Sequence, residues 1–286
     1  MKKRLCRDAV NYFASILVVV AGGFAIFALP LRAGEVFLED FDQGWSNDPE
    51  TKQLGPHGVW PSSWAFRLKN PVTWAVVESG GPQKKVLEFK GESFNNSWWS
   101  VGVSHGVGCA PGKSVQLDGW IREATPTSGM DAAYLWLSTP EQNGYGITVI
   151  RSNAIDGPPE KTNDGNNYAG IFKYRGSTVK FGESGLPEWT NQRGELPVPV
   201  ASVEAASDEY LHFFLRLKQA AKGGPVEIAL YYNSTDSPPV MTWTDDGTKF
   251  GAVIDIEKLT WVGITAANGP IPHRIQFDSI RVGLLP

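Results

Sequence analysis

Cysteine is almost absent from this chain. It has two, Cys6 and Cys109. Cys6 falls in an N-terminal leader, so Cys109 has no intrachain partner and no disulfide can hold the fold. A core built from about 250 residues can manage without one. Helical periodicity is missing as well: after the leader the nearest match, Val203 to Tyr210, is only long enough for a helical turn. There is no basic run, and the net charge is −4, so nothing points to nucleic acid. The four histidines, His57, His105, His212 and His273, lack the spacing of a zinc site. No serine nucleophile elbow, phosphate loop or dinucleotide fingerprint occurs. Beyond the leader, no stretch is apolar enough to span a membrane.

The leader itself has a basic start (Lys2, Lys3, Arg4, Arg7), then a run without charge from Phe13 to Leu29, then Ala33 before Gly34-Glu35. That is the layout of a secretory signal peptide. Leu31 stands where a small residue is preferred, and the apolar run is close to the shortest bilayer span, so an uncleaved anchor is the alternative. Either way the basic end stays in the cytoplasm and the chain after Gly34 is exported, with the membrane touched only through this segment. The expected division is therefore a leader over 1–33 and one domain over 34–286.

What the chain does have is glycine (31), proline (20) and tryptophan (11). Glycine and proline are scattered, as many short strands with tight turns require. Tryptophan runs at roughly three times ordinary usage, and its amphipathic ring suits wet recognition surfaces. Alternation of period two recurs over 115–122, 134–137, 145–149, 211–218 and 226–231. Further strands are expected at 35–41, 74–79, 84–90, 98–104, 168–174, 177–182, 259–265 and 273–283, with 185–207 as an irregular excursion. About a dozen strands with one apolar face each predict two antiparallel sheets packed face to face. In the last strand the apolar pairs Ile275/Phe277 and Ile280/Val282 are out of phase, which predicts a β-bulge at Asp278-Ser279.

The ends of the exported part resemble those of bacterial concanavalin A-like lectin/glucanase domains. Val36-Phe37-Leu38-Glu39-Asp40-Phe41-Asp42 is similar to their first strand, and Ile275-Gln276-Phe277-Asp278-Ser279-Ile280-Arg281-Val282-Gly283 to their last. Trp74-Ala75-Val76-Val77 followed by Val86-Leu87-Glu88-Phe89 has the spacing of their second hairpin. The resemblance implies an all-β jelly roll, a two-sheet antiparallel β-sandwich behind a hydrophobic leader helix, with its first and last strands paired. It also implies one structural Ca²⁺ near those strands, with Asp40 and Asp278 at the matching positions and oxygen ligands suited to the ion. The other reading of Asp278 is a cap on the bulge.

Strand phase places Trp98, Asp118, Trp120, Arg122, Tyr134, Trp136, His212, Arg216, Glu227 and Tyr231 opposite the aliphatic residues of their strands. An aromatic ring beside polar groups suits a pyranose, whose C–H face stacks while its hydroxyls bond. Trp120 and Trp136 lie on strands joined by one short connection and are expected on one partly exposed face, near Asp118 and Arg122. Two other readings are that these rings fill an inner layer, or that loops bury them.

Catalysis has weaker footing. Related glucanases carry Glu-x-Asp-x-x-Glu on one strand, but here Val253-Ile254-Asp255-Ile256-Glu257-Lys258 lacks the first acid and brings the second one residue early. Asp118 and Glu227 remain as a possible acid pair on the aromatic face. Ile171-Phe172-Lys173-Tyr174-Arg175-Gly176 resembles a strand of jelly-roll lyases, without their Arg-x-Glu-x-Arg and Gln-x-His elements. The expected function is thus a secreted carbohydrate-binding domain with a glycan as partner and no catalytic centre. The alternatives are a glycoside hydrolase or polysaccharide lyase with an atypical site, and a cell-surface structural protein.

Overall fold

The structure is a computed structural model that describes residues 34–42, 72–78, 84–91, 97–123, 132–141, 143–151, 167–175, 201–203, 209–268 and 273–286. The leader and the strand expected at 177–182 lie outside them. Strands dominate the described residues, which contain no α-helix. They form two antiparallel sheets, the sandwich that the alternation predicts.

The larger sheet holds β1 (Glu35–Glu39), β2 (Val72–Glu78), β3 (Lys85–Gly91) and β5 (Ser114–Glu123). It is completed by β10 (Leu211–Gln219), β11 (Val226–Tyr232), β12 (Met241–Asp245) and β14 (His273–Leu285). Their order is β12-β11-β10-β5-β14-β3-β2, with β1 also paired to β14. The smaller sheet runs β4-β13-β6-β7-β8-β9. Its strands are β4 (Ser97–Ser104), β6 (Ala132–Ser138), β7 (Asn143–Arg151), β8 (Asn167–Arg175), β9 (Ala201–Val203) and β13 (Trp261–Asn268).

Alternation explains the core. In β10 the inward residues Leu211, Phe213, Leu215 and Leu217 are buried, while His212, Phe214 and Arg216 between them are half-buried on the other side. Val226, Ile228 and Leu230 of β11 continue the same layer. Leu135 and Leu137 of β6, Ile147 of β7, Ile171 of β8 and Ile264 of β13 meet it from the smaller sheet. Removing such apolar area from water contributes about 25 cal/mol per Å², which makes this layer the main source of stability. Cys109 is free and buried within it, and that burial pushes its thiol pKa up against the pull of Lys113.

The expected bulge is present. Asp278 pairs with Trp120 and Arg281 with Asp118, so three steps along β14 face two along β5. Ser279 takes the left-handed φ of 47° that the extra residue requires. Phe277 and Ile280 are buried on either side of it, so the phase slip carries the inward face across. Gly119 lies opposite the bulge, where an added Cβ would come within 3.0 Å of Leu135 Cδ1. Beyond the bulge, β1 pairs with residues 280–283 of β14, and before it β3 pairs with residues 273–277. The first and last strands are therefore neighbours, as the resemblance implies.

Two local readings need correction. The irregular stretch 185–207 contains β9, which pairs with β8. Residues 241–245 form the edge strand β12, which the sequence reading passes over. Asp255 and Glu257, where the glucanase pattern already fails, lie at a 3-10 turn, Ile256–Lys258, whose Ile256 points into the core.

Candidate ligand-binding face

Seven of the ten expected ligand residues come together on the outer face of the larger sheet: Asp118, Trp120, Arg122, His212, Arg216, Glu227 and Tyr231. They do so because β11, β10 and β5 are adjacent and in register. Tyr231, Phe214 and Asp118 form one cross-strand row, and His212 and Trp120 form the next.

The centre of this face is a stack. The Trp120 and His212 rings lie 4.2 Å apart at 16°, and His212 also meets Phe214 at 4.1 Å and 43°. His212 Nε2 stands 3.3 Å from Asp118 Oδ1. Trp120, His212 and Phe214 are half-buried, and Asp118 is buried beside them. Trp120 therefore does not lie bare on the surface, since one ring face is taken by the imidazole.

An arginine–tyrosine pair lies at each end. Arg216 sits 5.3 Å from the Tyr231 ring centroid, and its Nη2 donates to Gln116 Oε1 at 3.0 Å. Arg122 sits 5.2 Å from the Tyr210 centroid, and its Nη1 donates to Gln276 Oε1 at 3.4 Å. Tyr210 Oη donates to the same Gln276 Oε1 at 2.7 Å. Gln276 Nε2 in turn donates to Glu88 Oε2 at 2.7 Å, and Arg274 donates there through Nε (3.1 Å) and Nη2 (2.6 Å). Tyr210, Phe214, Gln116 and Gln276 also belong to this face and are not among the expected ligand residues. Alternation puts Phe214 and Gln116 on the outward side, but neither residue type marks a ligand site by itself.

Tyr134 and Trp136 are elsewhere. β5 and β6 belong to different sheets and are not paired as a hairpin. Both rings point away from the core on the opposite outer face, and both are buried, at 6% and 3% exposure. The Trp136 indole lies over Gly102, where any Cβ would strike it, and its Nε1 donates to Thr265 Oγ1 at 3.1 Å. Tyr134 meets Phe172 edge-on at 5.1 Å. The expected single face holding Trp120 and Trp136, both partly exposed, is thus corrected. Trp98 lies on β4 opposite Ala267, and its side chain falls outside the described residues.

The acid pair is also corrected. Glu227 is four residues along β11 from Tyr231, the row of Asp118, and two strands across. That puts their Cα atoms about 16 Å apart by strand geometry, well beyond the ~9.5 Å between carboxyls that glycoside hydrolysis tolerates. Asp255 Oδ1 accepts from Gln219 Nε2 (3.1 Å) and the Gly223 N–H (2.7 Å), and Glu257 pairs with Lys222. Those two acids serve local structure.

The terminal-strand aspartates have partners within the protein. Asp40 Oδ1 accepts the Asp42 N–H at 3.2 Å, and the fully buried Asp278 accepts Ser279 Oγ at 3.2 Å. The capping reading of Asp278 is the nearer one, with the bond coming from a side chain. Among the described residues no three acidic, histidine or cysteine side chains converge on a common point.

No family model and no curated protein matches the chain. Among solved structures it is similar to "Cellulose induced protein, Cip1", with 14% identity, 86% of this chain and 96% of that one covered, and a TM-score of 0.45. The VIP36 exoplasmic/lumenal domain in its Ca²⁺/Man3GlcNAc-bound form is similar at 7% identity, 74% and 83% coverage and a TM-score of 0.41. Lectin I from Ulex europaeus, in complex with the methyl glycoside of α-L-fucose, is similar at 12% identity, 75% and 90% coverage and a TM-score of 0.41. These neighbours include lectins, the type of sandwich that the terminal strands resemble. At this level of likeness the fold stands on the chain's own two sheets, and any role stands on its own residues.

Proposed function

We propose that this chain is an exported carbohydrate-binding sandwich whose glycan lies on the outer face of the larger sheet. The leader either is removed or holds the domain at the membrane, and the role is binding without catalysis. The observation that carries the reading is the half-buried Trp120–His212 stack beside Asp118. A firm aromatic platform next to a carboxylate offers a sugar both a surface for its C–H face and an acceptor for its hydroxyls. The stack with His212 holds the indole in place before the ligand arrives, which lowers the ordering cost of binding.

The test is isothermal titration of residues 34–286 against a panel of neutral and acidic polysaccharides, repeated with Trp120→Ala. The expected result is binding to at least one glycan, with a loss of about 1–3 kcal/mol in the variant and a melt that remains cooperative. A chain that binds no glycan, or a variant that binds as well as the original, would refute the proposal.

A further inference from the structure

The two arginines at the ends of the face carry an inference about the kind of glycan, which rests on the binding face proposed above. Both guanidiniums are half-buried, and both bond only to a neutral amide: Arg122 to Gln276 and Arg216 to Gln116. Each is backed by a tyrosine ring, and in each the Nε–H is buried without a partner. Neither has a carboxylate partner among the described residues. Nη2 of Arg122 and Nη1 of Arg216 are left unpaired at the surface.

Two carboxylates of the same face are engaged, while Glu227, across from Lys218 on β11, is exposed. Glu88 accepts from Arg274 and Gln276, and Asp118 faces His212. None of these carboxylates pairs with Arg122 or Arg216, so both guanidiniums keep their charge uncompensated although the whole chain carries −4. A guanidinium that is partly desolvated, fixed by stacking and unpaired gains most from an incoming anion, and charge-assisted bonds to carboxylates are the strong ones.

We infer that the glycan is an acidic polysaccharide, with Arg122 and Arg216 receiving carboxylates of two separate sugar units along one chain. Six residues of β5 separate Arg122 from Gln116, the cross-strand partner of Arg216. That is a run of about 20 Å parallel to the strands. It passes over Phe214 and the Trp120–His212 stack, so a chain lying along the β5–β10 seam meets cation, rings and cation in turn. A single sugar cannot touch both ends, and an oligomer is required.

The experiment titrates residues 34–286 with polygalacturonate, alginate and hyaluronan, each beside its carboxyl-reduced, neutral counterpart, with xylan and laminarin as neutral controls. The expected result is tighter binding to at least one acidic polymer than to its reduced form, by about tenfold or more. That preference shrinks in 0.5 M NaCl because exposed charge contacts are screened. Arg122→Gln and Arg216→Gln each reduce it severalfold, and the double variant abolishes it. Arg122→Lys/Arg216→Lys keeps part of it, which separates charge from packing against Tyr210 and Tyr231. Equal affinity for charged and reduced chains, or binding to xylan and laminarin alone, overturns the inference and leaves the carbohydrate reading standing. No binding to any polymer overturns both.

Discussion

Lys173 Nζ lies 2.6 Å from Asp245 Oδ2, and neither side chain reaches solvent. The two residues come from different sheets, Lys173 from β8 and Asp245 from the end of β12. Tyr145 Oη donates to the same Oδ2 at 2.5 Å and accepts the Ile254 N–H at 3.1 Å. Lys173 also donates to Gly251 O at 2.8 Å and Lys249 O at 3.4 Å, while Asp245 Oδ1 accepts the Gly247 N–H at 3.1 Å. The ammonium is thus surrounded by oxygens, and the segment after β12 is fastened to the smaller sheet through it.

Breaking a pair of this kind leaves one charge buried alone. Lys173→Met or Asp245→Leu is expected to cost about 3–5 kcal/mol, read from urea unfolding. The double variant should recover a large part of that loss, because two apolar side chains leave no orphan charge. Losses that simply add would argue against the coupling.

The two tryptophans should behave differently. Trp136 is packed onto glycine backbone and hydrogen-bonded, so Trp136→Ala is expected to cost about 3–5 kcal/mol. Gly102→Ala should also destabilise, since its Cβ would overlap the indole. Trp120 loses only a half-buried stack, and its removal should cost about 1–2 kcal/mol. Thermal melts of the three variants decide the matter, and equal costs for the two tryptophans would contradict the difference in burial.

His105 gives the fold a pH dependence. Burial holds its pKa down to about 4, from an ordinary value of 6.5, and neither ring nitrogen has a hydrogen-bond partner. Below pH 6.5 the unfolded chain binds a proton at this residue that the folded chain does not. Its contribution is therefore fully present above pH 6.5 and falls as the pH drops toward 4, by on the order of 2–3 kcal/mol. Unfolding free energies at pH 4.5 and 7.5, compared with those of His105→Gln, should show a smaller acid loss in the variant.

Deletion of residues 277–286 is expected to abolish cooperative unfolding. β14 lies between β5 on one side and β3 with β1 on the other, so its loss opens two edges and strips Phe277, Ile280 and Val282 from the core. A truncated chain with an unchanged melting temperature would contradict the central position of the strand.

Much of this architecture was legible in the residues, and the exceptions have physical causes. Leu211 to Lys218 and Val226 to Tyr231 alternate so regularly that strand and face followed at once. The bulge followed from the spacing between Phe277 and Ile280. β12 was hidden because Asp245 occupies an inward position, where a charge breaks the apolar pattern, and its partner Lys173 is 72 positions away in the chain. The glucanase pattern already failed at Asp255 and Glu257 on spacing alone, and a 3-10 turn occupies that stretch. For Trp120 and Trp136, alternation showed that each ring points away from the core. It carries no information on which sheet a strand joins, and the two rings ended on opposite faces.

The place of β14 also fixes an order of events. The strand at the centre of the larger sheet comes last in the chain, while β1, β3 and β5, which flank it, come early. As the chain is made, those early strands have an empty slot between them, and β5 and β3 cannot pair with each other without losing the native register. Folding must therefore wait for residues 273–285 and then close contacts that span nearly the whole sequence, a pattern that favours slow folding.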